Sequence, residues 1–308
     1  MTFKLALSKS SVVDCERGSY SPLRKISEGG MGLVWEARSI DSNRRVIVKE
    51  PITRNADRRI PVERLKFECA VLRSINDEAA AQTSDIHQQL IHQHVVRYVD
   101  SLDNSTSPLL VLEFVEGKTM NDMFKGKPAA ENMALHYSAT LLKAVATLHF
   151  RGIVHRDISP SNIILNQERG LVLIDFGTCQ TLQTIAGTPP RYGKAIMKRG
   201  FSSPEMLHEK SDERSDIFSV GATLFYLLTG RNPADFMSNI QTMTTNLHSL
   251  NDGVSKIVSD IVEIAMSTNP DQRFQSANAM STAIEEGIGV SLRPHSSSKY
   301  ERLTLRKI

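Results

Sequence analysis

The stretch HRDISPSN, from His155 to Asn162, and the stretch IDFGT around Asp175 decide how this 308-residue chain is interpreted. The first stretch places a carboxylate, Asp157, five residues before the amide of Asn162, and the second places another carboxylate after the apolar run LVLI. Transfer of a phosphoryl group requires an oriented hydroxyl group and a divalent metal ion that neutralises phosphate charge. Asp157 is suited to act as the general base, and Asn162 and Asp175 offer the hard oxygen ligands that Mg²⁺ prefers.

Further motifs surround these two stretches in a fixed order. They are ISEGGMGLVW (Ile26 to Trp35), RVIVK ending in Lys49, FECAVL with Glu68, LVLEF (Leu110 to Phe114), SSPEML with Pro204 and Glu205, SDIFSVG with Asp216, and NPDQRF with Arg273. This ordered set resembles the protein kinase family over about residues 20 to 288. A glycine-rich loop alone is weak evidence, whereas ordered motifs at compatible spacing are specific.

The resemblance implies an α+β protein kinase fold with two lobes and the nucleotide bound between them. The residue pattern agrees, because β-branched runs such as RRVIVKE occur in the first part of the chain and apolar residues at helical spacing dominate after it. We therefore predict an N-terminal extension (1–19), a small β-rich lobe with one main helix (20–115), a larger, mostly helical lobe (116–288) and a basic C-terminal tail (289–308).

Helical periodicity predicts a long helix over ENMALHYSATLLKAVATLHF, with other helices near residues 62–76, 216–228, 254–267 and 276–286. The stretch AAAQTSDIHQQLIHQH is assigned to the connection that leads to the next strand. Two short strands around NIIL and LVLI are predicted to carry the catalytic and metal-binding loops.

The resemblance also implies roles for individual residues. Lys49 would hold phosphates with Glu68 as its partner, Asp157 would act as the base, and Asn162 and Asp175 would bind Mg²⁺, with Mn²⁺ as the alternative ion. The other residues implied to bind ATP are Ser27, Gly29, Gly30, Gly32, Val34, Ile47, Leu112, Glu113, Phe114 and Ile164. The implied structural or regulatory residues are His155, Arg156, Phe176, Gly177, Thr188, Glu205, Asp216 and Arg273.

Three positions depart from the family pattern. Ser27 replaces a glycine of the phosphate loop, and Ile47 replaces a small alanine above the adenine. Ser159 replaces the lysine that neutralises charge on the transferred phosphate, and serine cannot do this. Either the enzyme is slow or another cation substitutes, the candidates being Lys194, Lys198 and Arg199.

The activation segment, from Asp175 to Glu205, also departs from the family pattern. The stretch GKAIMKRGFS separates GTPPRY from Ser203 and alters the surface that receives a peptide substrate. A phosphorylated residue in this segment would pair with Arg156 and order the loop. The plausible phosphoacceptors are Thr178, Thr181, Thr184, Thr188 and Tyr192.

Three functions are compatible with these observations. The first is an active Mg-ATP-dependent protein kinase that acts on Ser or Thr and phosphorylates itself. The second is a pseudokinase that serves as a nucleotide-binding scaffold, which Ile47, Ser159 and the altered segment motivate. The third is a small-molecule phosphotransferase, against which the DFG motif, Glu205 and Arg273 argue.

The composition excludes other classes. A net charge of +3 is small for this length and gives no argument for binding nucleic acid. The longest apolar run, from Ile217 to Leu228, is too short for a membrane span, and the N-terminus does not resemble a signal peptide. Cys15, Cys69 and Cys179 are far apart and odd in number, which fits a reducing cytoplasm. The oligomeric state and the protein substrate are not indicated by the sequence.

Overall fold

The computed structural model describes residues 7, 11–29, 32–52, 59–76, 85–103, 107–181, 197–208, 210–238, 242–243 and 247–291. Within these residues a β-rich N-terminal lobe is followed by a mostly helical C-terminal lobe. The predicted two-lobed α+β fold is therefore confirmed.

The N-terminal lobe is built on a six-stranded antiparallel sheet with the order β1-β2-β3-β4-β6-β5. Its strands are β1 (Val13–Asp14), β2 (Ser19–Gly29), β3 (Gly32–Ser39), β4 (Arg45–Glu50), β5 (Tyr98–Leu102) and β6 (Leu109–Glu113). Side chains alternate between the two faces of a strand. In β4 this alternation buries Val46 and Val48 in an outer apolar cluster and places Ile47 and Lys49 on the opposite face.

The described part of the predicted N-terminal extension belongs to this sheet. Val13 of β1 pairs with Tyr20 of β2, and the amide of Arg17 donates to both carboxylate oxygens of Asp100, at 3.1 and 3.0 Å. The hydroxyl of Tyr20 donates to the same carboxylate at 2.9 Å. Because Asp100 is fully buried in β5, these bonds fix the start of the chain across the sheet.

Two helices cover the N-terminal lobe and its junction with the C-terminal lobe. Helix α1 (Arg59–Ile75) packs on β5 and β6 through residues at helical spacing, including Leu65 and Leu72. Helix α2 (Ile86–His94) occupies a stretch that the sequence analysis assigned to a connection. That assignment was wrong, because Asp85 caps the helix through the amide of His87 and the helix buries Ile91.

The C-terminal lobe surrounds a buried central helix. Its helices are α3 (Met120–Phe124), α4 (Glu131–Phe150), α5 (Glu213–Thr229), α6 (Leu247–Leu250), α7 (Lys256–Ala265) and α8 (Ala277–Ser291). Every residue of α5 from Ser215 to Thr229 is buried, which is typical of a helix that is apolar on all sides. Asp212 caps its start and Gly230, in the left-handed conformation, ends it.

Short strands complete this lobe and position the site. They are β7 (Lys118–Thr119), β8 (Ile153–Val154), β9 (Ile163–Asn166), β10 (Gly170–Leu173), β11 (Gln180–Thr181), β12 (Met237–Ser238) and β13 (Thr242–Met243). The antiparallel hairpin of β9 and β10 pairs Ile163 with Leu173, and the amide of Ile174 donates to the carbonyl of Asn162 at 2.9 Å. Asn162 and Asp175 therefore emerge at the same end of the hairpin.

No helix within the described ranges combines the length and the apolar character that crossing a membrane requires.

Candidate active site

A buried lysine joins the two lobes. Lys49 Nζ lies 2.6 Å from Glu68 Oε1 on α1 and 3.0 Å from Asp175 Oδ1. The same Glu68 oxygen accepts the amide of Phe176 at 3.1 Å. One contact cluster therefore links β4, α1 and the segment after β10. The sequence analysis paired Lys49 with Glu68 and did not predict the contact with Asp175.

Lys49 and Asp175 stabilise each other's charged forms. Burial and the charge of Asp175 raise the pKa of Glu68 despite the attraction of Lys49. Burial alone would lower the pKa of Lys49, but the attraction of Asp175 and Glu68 outweighs it, so the pKa of Lys49 is raised. Burial alone would raise the pKa of Asp175, but Lys49 outweighs this and the pKa of Asp175 is lowered. Both groups are therefore charged near neutral pH, as holding phosphates and a metal ion requires.

Asp157 and Asn162 contact each other directly. The amide nitrogen Nδ2 of Asn162 donates to the Asp157 carboxylate at 2.7 Å and to its backbone carbonyl at 2.8 Å. Burial raises the pKa of Asp157 to about 6, against the opposing positive charge of Lys198. A pKa in this range suits a general base that works near neutral pH.

Asp216 holds the backbone of the catalytic loop. Its carboxylate is fully buried and accepts the amides of His155 and Arg156, both at 2.8 Å. Arg156 needs this support because its backbone has a φ of 68°, in the left-handed region. His149 Nε2 bonds the same carboxylate at 2.9 Å, a contact that the sequence analysis missed because the two residues are 67 positions apart.

His155 is a packing residue in this structure. Its ring meets Phe176 edge to face, with ring centroids 4.7 Å apart. Burial lowers the pKa of His155, which keeps the ring neutral. Thr178, directly after the Asp175–Gly177 segment, links that segment to the catalytic loop. Its hydroxyl donates to the carbonyl of His155 at 3.2 Å.

The donor set fits a divalent cation. Because the nitrogen of the Asn162 amide is used by Asp157, the amide oxygen points away from that carboxylate. Asp175 has a φ of 67°, and its Oδ1 accepts Lys49 and the amide of Gly177, at 3.0 and 3.4 Å. The second oxygen of Asp175 and the Asn162 oxygen are hard ligands of the kind that Mg²⁺ or Mn²⁺ accepts together with phosphate and water. Within the described part of the chain, no group of three or more His, Cys, Asp and Glu side chains has metal-binding geometry.

The predicted adenine-contacting residues come from both lobes. Val34 and Ile47 are half-buried on neighbouring strands, and Ile47 stands opposite Leu112 of β6. Ile164 is half-buried in β9 of the C-terminal lobe. Ile47 and Ile164 pack against the same hydrophobic core.

Two arginines that the sequence analysis did not identify contact Glu113 and Phe114, at the end of β6 and just after it. Arg169 Nη1 lies 2.5 Å from Glu113 Oε1, and Arg169 also donates to backbone carbonyls at the end of α2. The guanidinium of Arg45 lies 3.6 Å from the centre of the Phe114 ring. No local motif marks these arginines, because their partners come from other elements.

The glycine-rich stretch predicted to bind phosphate includes the end of β2 and the start of β3. Gly32 has a φ of 140°, and a Cβ there would collide with the carbonyl oxygen of Glu50, so only glycine fits. Ser27 and Gly29 are exposed on β2, and Gly29 has open space around it. Gly30, like Thr188 of the activation segment, lies outside the described residues.

A buried ion pair ends the activation segment. Arg273 donates to both oxygens of Glu205, at 2.8 Å each, and its side chain is fully buried. Burial alone would raise the pKa of Glu205, but the hydrogen bonds and charge of Arg273 lower it to about 2. The geometry is the bidentate arrangement expected of a strong arginine–carboxylate pair.

Lys198 lies against the catalytic loop. Its Nζ donates to Ser159 Oγ at 2.8 Å and contacts Ser161 Oγ. Of the other candidate cations, Arg199 is exposed and Lys194 lies outside the described residues. The sequence analysis named all three and could not rank them.

Comparisons with known proteins agree with this geometry. The family described as protein kinase domain matches residues 20–284. Among curated proteins, serine/threonine-protein kinase D of Synechocystis sp. is 26% identical over 89% of this chain and 53% of its own length. PksC of Streptomyces coelicolor is 29% identical over 85% of this chain and 48% of its own length, and PrkC of Bacillus subtilis is 29% identical over 87% and 40%.

The chain thus spans about half the length of these curated relatives, or less. The matched range nevertheless covers strands β3 to β6, the catalytic loop, the DFG segment and the buried ion pair. Members of the matched family use ATP and a divalent metal ion. The chain belongs to the protein kinase family.

Proposed function

We propose that this chain is a serine/threonine protein kinase that transfers the γ-phosphoryl group of Mg-ATP to protein hydroxyl groups, including its own. The observation that carries the proposal is the simultaneous presence of the Lys49–Glu68–Asp175 cluster and the Asp157–Asn162 contact. The similar curated proteins are named as serine/threonine-protein kinases, which supports the choice of acceptor.

In the proposed reaction, the hydroxyl oxygen of the substrate forms a bond to the γ-phosphorus while the bond to the bridging oxygen of ADP breaks. Asp157 takes the hydroxyl proton on the oxygen that Asn162 does not occupy. Lys49 holds the phosphates, and Asn162 and Asp175 hold the metal ion. A bound divalent ion supplies neutralisation of phosphate charge.

We also propose the limits of the two lobes and the cellular compartment of the protein. We place the lobes at residues 20–115 and 116–288, with the family match over 20–284 in support. The three cysteines, Cys15, Cys69 and Cys179, are free thiols, which supports a reducing compartment such as the cytoplasm.

The test is incubation of the purified full chain with Mg-ATP and a generic protein substrate, followed by site-mapped mass spectrometry. Phosphate on Ser or Thr that disappears in both Lys49→Ala and Asp175→Asn supports the proposal. A folded wild-type chain that binds ATP and incorporates no phosphate would favour a nucleotide-binding scaffold. Phosphate found on a small molecule and not on protein would favour a small-molecule phosphotransferase.

A further inference from the structure

The catalytic loop lacks a lysine of its own but receives one from a distant segment. Ser159 stands two residues after Asp157, where a cation would be needed, and its side chain is neutral. Lys198, 39 residues further along the chain, donates to the Ser159 hydroxyl at 2.8 Å and also contacts Ser161. A positive charge is thereby brought to the loop position that the local sequence leaves uncharged.

The backbone of Lys198 is held by a tight turn. Its carbonyl accepts the amides of Phe201 and Ser202, at 2.9 and 3.0 Å, and its own amide donates to Ser202 Oγ at 2.9 Å. Gly200 allows the turn with a φ of 88°, and a Cβ there would collide with Asn232. The buried ring of Phe201 anchors the turn against Tyr226 of α5. Lys198 therefore extends from a fixed base.

The serines orient the ammonium group without neutralising it. Ser159 is fully buried, so its hydroxyl has little freedom, and both serine partners are uncharged. An ammonium group has three donors, and two of them are used by these hydroxyls. Burial raises the pKa of the Asp157 carboxyl, and the positive charge of Lys198 opposes this.

We propose that Lys198 is a catalytic residue whose ammonium group neutralises the charge that develops on the transferred phosphoryl group, with Ser159 and Ser161 as positioning residues. This inference rests on the proposed kinase function. Lys198 neither gains nor loses a proton in this step. The phosphorus–oxygen bond to the acceptor forms, the phosphorus–oxygen bond to ADP breaks, and the acceptor proton goes to Asp157. A preorganised charge of this kind contributes on the order of 10²–10³ in rate.

The test compares four variants of the full chain with the wild type in the assay with Mg-ATP and a generic protein substrate. Lys198→Met keeps the apolar stem and removes the charge, and Lys198→Ser removes both. Arg199→Ala, at the exposed neighbouring position, is the matched control. The fourth variant exchanges the two side chains by combining Ser159→Lys with Lys198→Ser. It restores a positive charge at this contact, now carried by position 159.

We expect Lys198→Met and Lys198→Ser to lower kcat on the order of 10²–10³ while KM for ATP changes by less than about threefold. Arg199→Ala should keep kcat within about threefold, since its side chain is exposed. The exchanged variant should recover at least about tenfold over Lys198→Ser. Recovery of this kind is not expected if Lys198 only ties the two segments together.

Two results would overturn the inference while the proposed function stands. The first is a Lys198→Met variant with the kcat of the wild type, measured in an assay in which Lys49→Ala is inactive. The second is a folded exchanged variant, with the melting temperature of the wild type, that recovers nothing. A wild-type chain without any kinase activity would overturn the function itself, and this inference with it.

Discussion

The Lys49 cluster and the Lys198 contact place two lysines in the candidate active site by different means. Lys49 sits at the end of a β-branched run, and Glu68 and Asp175 belong to motifs of their own, so each partner is recognisable alone. Lys198 belongs to no motif, and its partners are neutral serines. The comparison teaches that one chemical requirement, a fixed cation, is met at one site by motif residues and at the other by a tertiary contact.

The largest effect is expected at the motif cluster. Asp175→Asn removes a proposed metal ligand and an acidic partner of Lys49, and should lower kcat by on the order of 10³ or more. Steady-state kinetics with Mg-ATP measures this loss. Lys66→Ala is the control, because it removes an N-terminal-lobe lysine whose partner Asp103 is exposed. Equal activity of Asp175→Asn and the wild type would remove the basis for the comparison.

The next effect concerns a second motif pair, the buried ion pair at the end of the activation segment. Arg273→Ala leaves the carboxylate of Glu205 without its bidentate partner and should lower the free energy of unfolding by about 3–5 kcal/mol. Denaturant unfolding measures it. Lys256→Ala breaks an exposed pair with Asp260 and should cost less than about 1 kcal/mol. An unchanged unfolding midpoint in Arg273→Ala would count against the pair.

The same pair predicts a pH dependence of stability. The pKa of Glu205 is lowered from 4.5 to about 2 by Arg273, against the effect of burial, so the folded state binds the proton less readily than the unfolded state. The stabilisation is therefore fully present above the unfolded value and is lost as the pH falls from about 5 towards 2. Unfolding curves of the wild type across this range should show the loss.

In Arg273→Ala the contribution of Glu205 to this acid dependence should be smaller, because the partner that lowers its pKa is gone. Wild-type and variant stabilities should therefore converge as the pH falls through that range. Parallel curves with a constant difference would show that Arg273 acts by packing and not by charge.

The smallest expected effect on kcat concerns the contact between Lys198 and its serine partners. Ser161→Ala removes one of two hydroxyls that orient Lys198 and leaves the bond to Ser159 in place. A hydrogen bond to a charged group contributes about 1.5–3 kcal/mol. Because the bond to Ser159 remains, we expect a loss at the lower end of this range, so kcat should fall by about tenfold, less than in Lys198→Met. The same substitution combined with Lys198→Met should have little further effect, since its target is gone. Additive losses would mean that Ser161 acts independently of Lys198.

The sequence alone determined much of the fold and of the site. Period-2 and helical patterns located the lobes, the hairpin of β9 and β10, and the long helices α4 and α5. It missed α2, whose cap, Asp85, lies in a polar stretch without strong apolar periodicity. Such elements are determined by the burial of a few side chains such as Ile91, and burial depends on which elements pack nearby.

Residue types at short spacing determined the carboxylates and the lysine of the candidate site, because the chemistry of a carboxylate or an ammonium group is a local property. Tertiary structure alone decided which distant groups meet them. Asp216 with His149, Arg169 with Glu113, and Lys198 with Ser159 are separated by 39 to 67 residues. Their meeting depends on how the helices and the hairpin pack. A motif that lacks an expected charge therefore indicates which charge the site needs. Only the tertiary structure shows which residue can supply it.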